Sequence, residues 1–233
     1  MARFAKKNYD PEVVMNTLLQ TVEEVYKEKG KIRPTAAELD LAEHKVKKLL
    51  ITSGALVYPQ TEEIEGMMRA GKSIEDVMEL TGLSRASINF YLPYSKVPYK
   101  ESEISANADR CELYRKRKEA VDGIVDCDSL WNAILLFQSY PFKTATGLPF
   151  HYTIKTGRNG EYTKELWIDR RGESKSLTMS TVERAFEKAA ELKGAVVNRP
   201  KALGDLRGIS YIYPIFYRFG LIEVPEKIKE KMK

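Results

Sequence analysis

Glycine and proline punctuate the first ninety-two residues so closely that only short helices fit between them. The segment PEVVMNTLLQTVEEVYKEKG (11–30) carries Val13, Val14, Leu18, Val22 and Val25 at helical spacing. Asp10 is its cap, Pro11 takes the first helical position and Gly30 closes it. A second helix is expected from Thr35 to Leu39, entered by Pro34, and a third from Ala42 or Glu43 to Ile51, stopping near Gly54. Segments 60–71, 73–82 and 84–92 follow, each short, opened by a small polar cap and ended by glycine or proline. The expectation is six helices and almost nothing else.

The six also read as one arrangement used twice. A shift of 42 residues lays Leu41 on Leu83, Ala42 on Ser84, Val46 on Ile88 and Leu50 on Leu92. The Gly-Lys pair at 30–31 falls one residue out of step with the pair at 71–72. Identity is low, but the matched set includes the apolar positions that must point inward for two helices to cross at a tight turn. A duplicated unit is expected, one copy over 8–56 and the other over 57–96; two unrelated helical hairpins are the alternative.

Pro93 and Pro98 end this regime, and residues 97–127 read as a charged helical linker, with a polar helix from Ser105 to Val121. Its charges, among them Arg115 and Arg117, suit a solvated connector or a track for phosphates. Residues 128–225 read as a separate α+β domain. An apolar helix is expected over 128–142, starting at Asp128 or Ser129, and then the hydrophobic period switches to two. Strands are expected at 150–156, 162–169 and 174–178, joined by turns at Arg158-Asn159-Gly160 and Arg171-Gly172-Glu173. Ser180 and Glu183 have capping-box spacing at the head of a helix over 180–194, and the aromatic tail 208–222 is expected to be buried.

Composition narrows the function classes. At 43% hydrophobic and 30% charged the chain can build a packed core, and its net charge of +5 with pI near 9.0 suits a polyanionic partner. MARFAKKNYD has no apolar run and no window approaches a membrane span, so a cytoplasmic location without membrane partners is expected. Two cysteines, Cys111 and Cys127, and two histidines, His44 and His151, leave little for a disulfide framework or a zinc site. No metal and no cofactor are expected.

The stretch TGLSRASINFYLPYSK (81–96) concentrates the functional signal. Where one helix must cross another at a fixed angle, the turn needs a small or left-handed residue, an apolar anchor and a cap; Gly82, Leu83 and Ser84 supply them in order. Ile88 and Leu92 then face the core, while Arg85, Ser87, Asn89 and, less clearly, Phe90 project outward. Arginine and asparagine can read guanine and adenine edges bidentately. Over these 30 or so residues the chain resembles the helix-turn-helix of sigma-factor region four and of homeodomain-like bacterial regulators. The first copy, PTAAELDLAEHKVKKLLITSG (34–54), resembles the same motif with Asp40 for the turn glycine and Ala42 for the serine cap. Asp tolerates the left-handed region better than most residues. Outward His44, Lys45, Lys47 and Lys48 favour phosphate contact over base reading.

What the resemblance implies is a sequence-specific DNA-binding protein of bacterial, phage or mobile-element type, regulating transcription. Arg85, Ser87 and Asn89 would contact bases; His44, Lys45, Lys47, Lys48, Ser84, Arg115 and Arg117 would hold phosphates. The β-β-β-α order is weakly similar to the three-stranded DNA-binding domains of some phage and transposon integrases. That likeness would make Lys155, Arg158, Lys164, Arg170 and Arg171 a second DNA surface; a plain interaction domain, able to form a homo-oligomer, is the alternative. Two further functions stay open: a nuclease or recombinase targeted by these motifs, and a protein-interaction adaptor. For the enzyme, Asp169 and Glu173-Ser174-Lys175 offer a nuclease-like acid-and-lysine pattern, but the acids lie four residues apart across a turn. The glycines of GDLRG lack the lysine and hydroxyl of a phosphate loop. No catalytic residue is assigned.

Overall fold

A computed structural model describes residues 10–95, 105–158, 160–170 and 173–232, in two compact units, one up to Arg115 and the other from Lys116. The first is helical; the second combines helices with a small antiparallel sheet.

In the first unit, α1 (Pro11–Lys29), α2 (Ile32–Leu39) and α3 (Glu43–Ser53) share one core. Asp10 caps α1 by accepting the Glu12 N–H at 2.8 Å, and Gly30 ends it in the left-handed region. The buried stripe of α1 is Met15, Leu18, Val22 and Val25; Val13, which shares the apolar spacing, is 60% exposed. α2 begins three residues before its expected start. Pro34 sits at its third position, where the missing N–H is still one that a helix leaves unpaired. Thr35 holds the entry by donating its hydroxyl to the Lys31 carbonyl at 2.9 Å.

Asp40 does take the left-handed conformation, at φ +52°. The Leu41 N–H then reaches back to the Ala36 carbonyl at 2.9 Å and the Asp40 N–H to Ala37, so two orphan carbonyls of α2 are satisfied and α3 starts across it. Ala42 offers α3 no side-chain cap.

α4 (Pro59–Arg69), α5 (Ile74–Thr81) and α6 (Arg85–Tyr91) enclose a second, much smaller core of Ile64, Val77 and Ile88, all fully buried. Ser73 and Asp76 form a capping box on α5, and Ser84 caps α6. Gly82 is left-handed at φ +69°, in the turn that the 42-residue shift equates with Asp40. The same shift carries Val46 onto Ile88, each fully buried in its own core.

A helix over 105–121 is matched by α7 (Ala106–Asp122), whose Cys111 is buried in the first core. Burial pushes that thiol up to about 12, so it stays protonated and packs as an apolar group.

In the second unit, α8 (Cys127–Leu136) starts earlier than expected because Asp126, not Asp128 or Ser129, is its cap, in a capping box with Ser129. It also stops five residues before Pro141, and its last carbonyls are taken by side chains: Ile134 by the Tyr152 hydroxyl at 2.7 Å, Leu135 by Gln138 at 3.1 Å and Leu136 by Arg117 at 2.8 Å. Four strands follow rather than three: β1 (Phe142–Lys143), β2 (Pro149–Thr156), β3 (Tyr162–Arg170) and β4 (Glu173–Thr178), paired antiparallel in chain order. A two-residue strand leaves no alternation to read.

Tyr152 pairs with Ile168 and Ile154 with Leu166, so one sheet face is apolar and covered. On the other, His151 lies opposite Asp169 and Thr153 opposite Trp167. α9 (Met179–Glu191) begins at Met179 with Thr178 at its cap position, in place of the expected Ser180–Glu183 box; the Thr178 hydroxyl is 3.0 Å from that of Ser180. A 3-10 turn (Pro200–Leu203), the aromatic α10 (Ile209–Arg218) and α11 (Glu226–Met232) complete the unit, with Tyr211, Ile212, Tyr213 and Phe216 in its core. No helix among the described residues is long and apolar enough to cross a membrane.

Candidate functional site

A groove of about 880 Å³ in the first unit lies where α3, α4 and α6 meet. His44, Lys45 and Lys48 enter it from α3, Glu65 and Arg69 from α4, and Asn89 and Phe90 from α6, with Tyr94 just beyond. Among the described residues its rim is cationic, with one acid, Glu65, which faces Arg69 at 3.3 Å. Four residues singled out in the sequence, His44, Lys45, Lys48 and Asn89, therefore converge, although 41 residues separate Lys48 from Asn89.

Their roles in the fold differ. His44 and Asn89 are exposed, and Lys47 is half-buried. Lys45 donates to the Tyr94 hydroxyl at 2.6 Å, with its ammonium 4.9 Å from the centre of that ring. Lys48 points into the protein, donating to the carbonyls of Asn89 and Leu92. Burial first, and then the neighbouring charge of Lys45, hold its pKa below the ordinary value.

Arg85 is exposed but ion-paired with Glu75 of α5. A pair this open is worth roughly 0 to 1 kcal/mol, so the guanidinium can be released at little cost. Ser84 and Ser87 are occupied with the helix start: Ser84 accepts the Ser87 N–H at 3.2 Å and the two hydroxyls lie 3.0 Å apart.

Other candidates lie elsewhere. Arg115 is exposed on α7 near Cys111. Arg117 is a structural cation: it caps α8 through Leu136, reaches the Gln138 carbonyl at 3.4 Å and sits 5.1 Å from the Phe137 ring centre. Of the proposed second surface, Lys155 lies on the open sheet face with its ammonium 3.3 Å from the centre of the Trp167 ring. Arg158 is exposed in the β2–β3 turn, and Lys164 is exposed on β3 beside an irregularity in the β2–β3 register. Arg171 and the side chain of Arg170 lie outside the described residues, as do those of Glu173, Ser174 and Lys175.

Sequence reasoning missed Arg69 and Tyr94. Arg69 ends α4 like any helix-terminal cation, and Tyr94 follows a proline, so neither carries a local signal. A second cavity, about 650 Å³, sits in the other unit beside Ser139, Thr144, Ser210 and a His151–Asp169 pair 3.4 Å apart. Compared with protein-family models, with curated proteins and with solved structures, the chain matches none.

Proposed function

We propose that the chain binds double-stranded DNA sequence-specifically through two tandem helix-turn-helix units, α1–α3 and α4–α6, and acts as a transcriptional regulator of bacterial or mobile-element type. The observation that carries this reading is the shared groove: cations from α3 and α4 meet the exposed Asn89 of α6 in one place. Left-handed residues at Asp40 and Gly82, in turns 42 residues apart, support the tandem assignment, because each sets one helix across the one before it.

In this mechanism Lys45, Lys47 and Arg69 neutralise phosphates, and Arg85 and Asn89 reach base edges. Arg85 exchanges Glu75 for a guanine edge; Asn89 offers its amide to adenine. Fluorescence anisotropy of the full chain on duplexes obtained by selection tests it. Asn89→Ala should cost roughly 1–3 kcal/mol at one base position and little at the others. Equal weakening on every duplex would remove Asn89 as a reader.

One observation favours a second reading, a protein-interaction adaptor: the floor of the groove is apolar, formed by Met68, Ile74, Phe90 and Leu92. Under that reading an acidic amphipathic peptide, and no duplex, would shift the anisotropy at low salt.

A further inference from the structure

α3 and α6 are tied together by side chains of α3. Lys48 donates to the carbonyls of Asn89 and Leu92, groups that a helix as short as Arg85–Tyr91 leaves unpaired at its C-terminus. A cation at that end also complements the helix dipole. Four residues along α3, the Thr52 hydroxyl accepts the Tyr94 N–H at 3.2 Å, and Lys45 and Lys48 stand 4.9 and 5.0 Å from the Tyr94 ring centre. The chain leaving α6 is thus fastened along α3 at three points.

This bears on what duplex the unit can read. Helices packed on one another lie on the order of 10 Å apart. Successive major grooves on one side of a duplex are about 34–36 Å apart, and each, about 12 Å wide, admits one helix. α3 and α6 cannot occupy two successive grooves while Lys48 joins them.

Resting on the DNA reading above, we propose that Lys48 is a positioning residue that locks α3 against α6, so that α6 alone enters a major groove, α3 lies over the flanking phosphates, and the target is one uninterrupted duplex element. The same contacts keep α3 and α6 of one chain from reading two half-sites a helical turn apart. Lys48 spends its charge on protein carbonyls, whereas Lys45, bonded to the neutral Tyr94 hydroxyl, and Lys47 keep theirs for the phosphates.

Selection from random duplexes with the full chain tests the shape of the site. With the number of chains per duplex measured alongside, a single contiguous motif per bound chain is expected; two blocks about one helical turn apart read by a single chain would overturn the inference. A chain that selects no duplex even at low salt would fail the DNA reading itself, and this inference with it.

The lysine is tested separately on the selected duplex. Lys48→Gln should weaken binding roughly tenfold with an unchanged salt slope, and Lys48→Arg, which keeps a donor, should recover most of the loss. A slope reduced by about 0.9 in Lys48→Gln would place Lys48 on a phosphate and overturn its positioning role. Should the glutamine variant fail to fold, Thr52→Ala, which removes the acceptor of the Tyr94 N–H and no charge, should likewise weaken binding with the slope unchanged, and full affinity there would overturn the locking of α3 against α6.

Discussion

Trimming Ile88 to alanine strikes the core on which α6 rests. Among the described residues, the second core of the first unit has three buried side chains, Ile64, Val77 and Ile88, all fully enclosed, against ten buried ones in the first core apart from Cys111. Ile88→Ala removes three carbon groups, and at about 0.8 kcal/mol each their transfer alone sets a floor near 2.4 kcal/mol. The cavity left in a fully enclosed site raises the expected loss to about 3–4 kcal/mol. So small a core has little stability in reserve, and the cost should appear as local opening of α4–α6 rather than as global unfolding.

Native-state hydrogen exchange on the full chain reads this directly. Amides of α5 and α6 should lose about two to three orders of magnitude of protection, while those of α1, packed through Leu18, Val22 and Val25, keep theirs. A loss below about 1 kcal/mol, or an equal loss in α1 and α6, would refute the description of two separate cores.

Other consequences follow from the caps. Arg117→Met should lower the stability of the second unit by about 1.5–3 kcal/mol, since the Leu136 carbonyl loses its charged partner; thermal melts of the full chain check this. Unchanged melting would show that Arg117 is available for another role. Asp126 caps α8, and its hydrogen bonds from Ser129, side chain first, hold its pKa below the ordinary 3.8. The folded form therefore binds this proton more weakly than the unfolded chain. Its contribution is present above pH 3.8 and is lost as the pH falls through the lower folded value. Asp126→Asn keeps a capping oxygen, so melts of the two proteins should differ in their acid dependence below about pH 4 and run parallel above it; parallel curves throughout would remove the effect.

Local chemistry was the legible part of this chain. Asp10, Gly30, Ser73, Gly82 and Ser84 mark helix ends within a few residues of themselves, and the left-handed Asp40 is legible from the place it takes in the motif that 34–54 resembles, where the second copy has Gly82. Boundaries failed where one residue type serves two positions. Pro34 reads as a first helical residue but stands third, and the cap of α8 is an aspartate paired with serine rather than the usual glutamate partner. The candidate site was legible only by residue type. That Lys48 and Arg117 cap helices depends on carbonyls 41 and 44 residues away for the one and 19 and 21 for the other, distances over which sequence spacing carries no geometry.

The claim on which the rest depends is that the groove between α3 and α6 meets a phosphate backbone. Its most direct test is the affinity of the full chain for its selected duplex, measured by anisotropy from about 50 to 200 mM salt. With Lys45, Lys47 and Arg69 on phosphates the logarithmic slope should be about −2.7 or steeper, and Lys45→Ala should make it shallower by about 0.9. A slope near zero, or one that Lys45→Ala leaves untouched while affinity falls, would contradict the account.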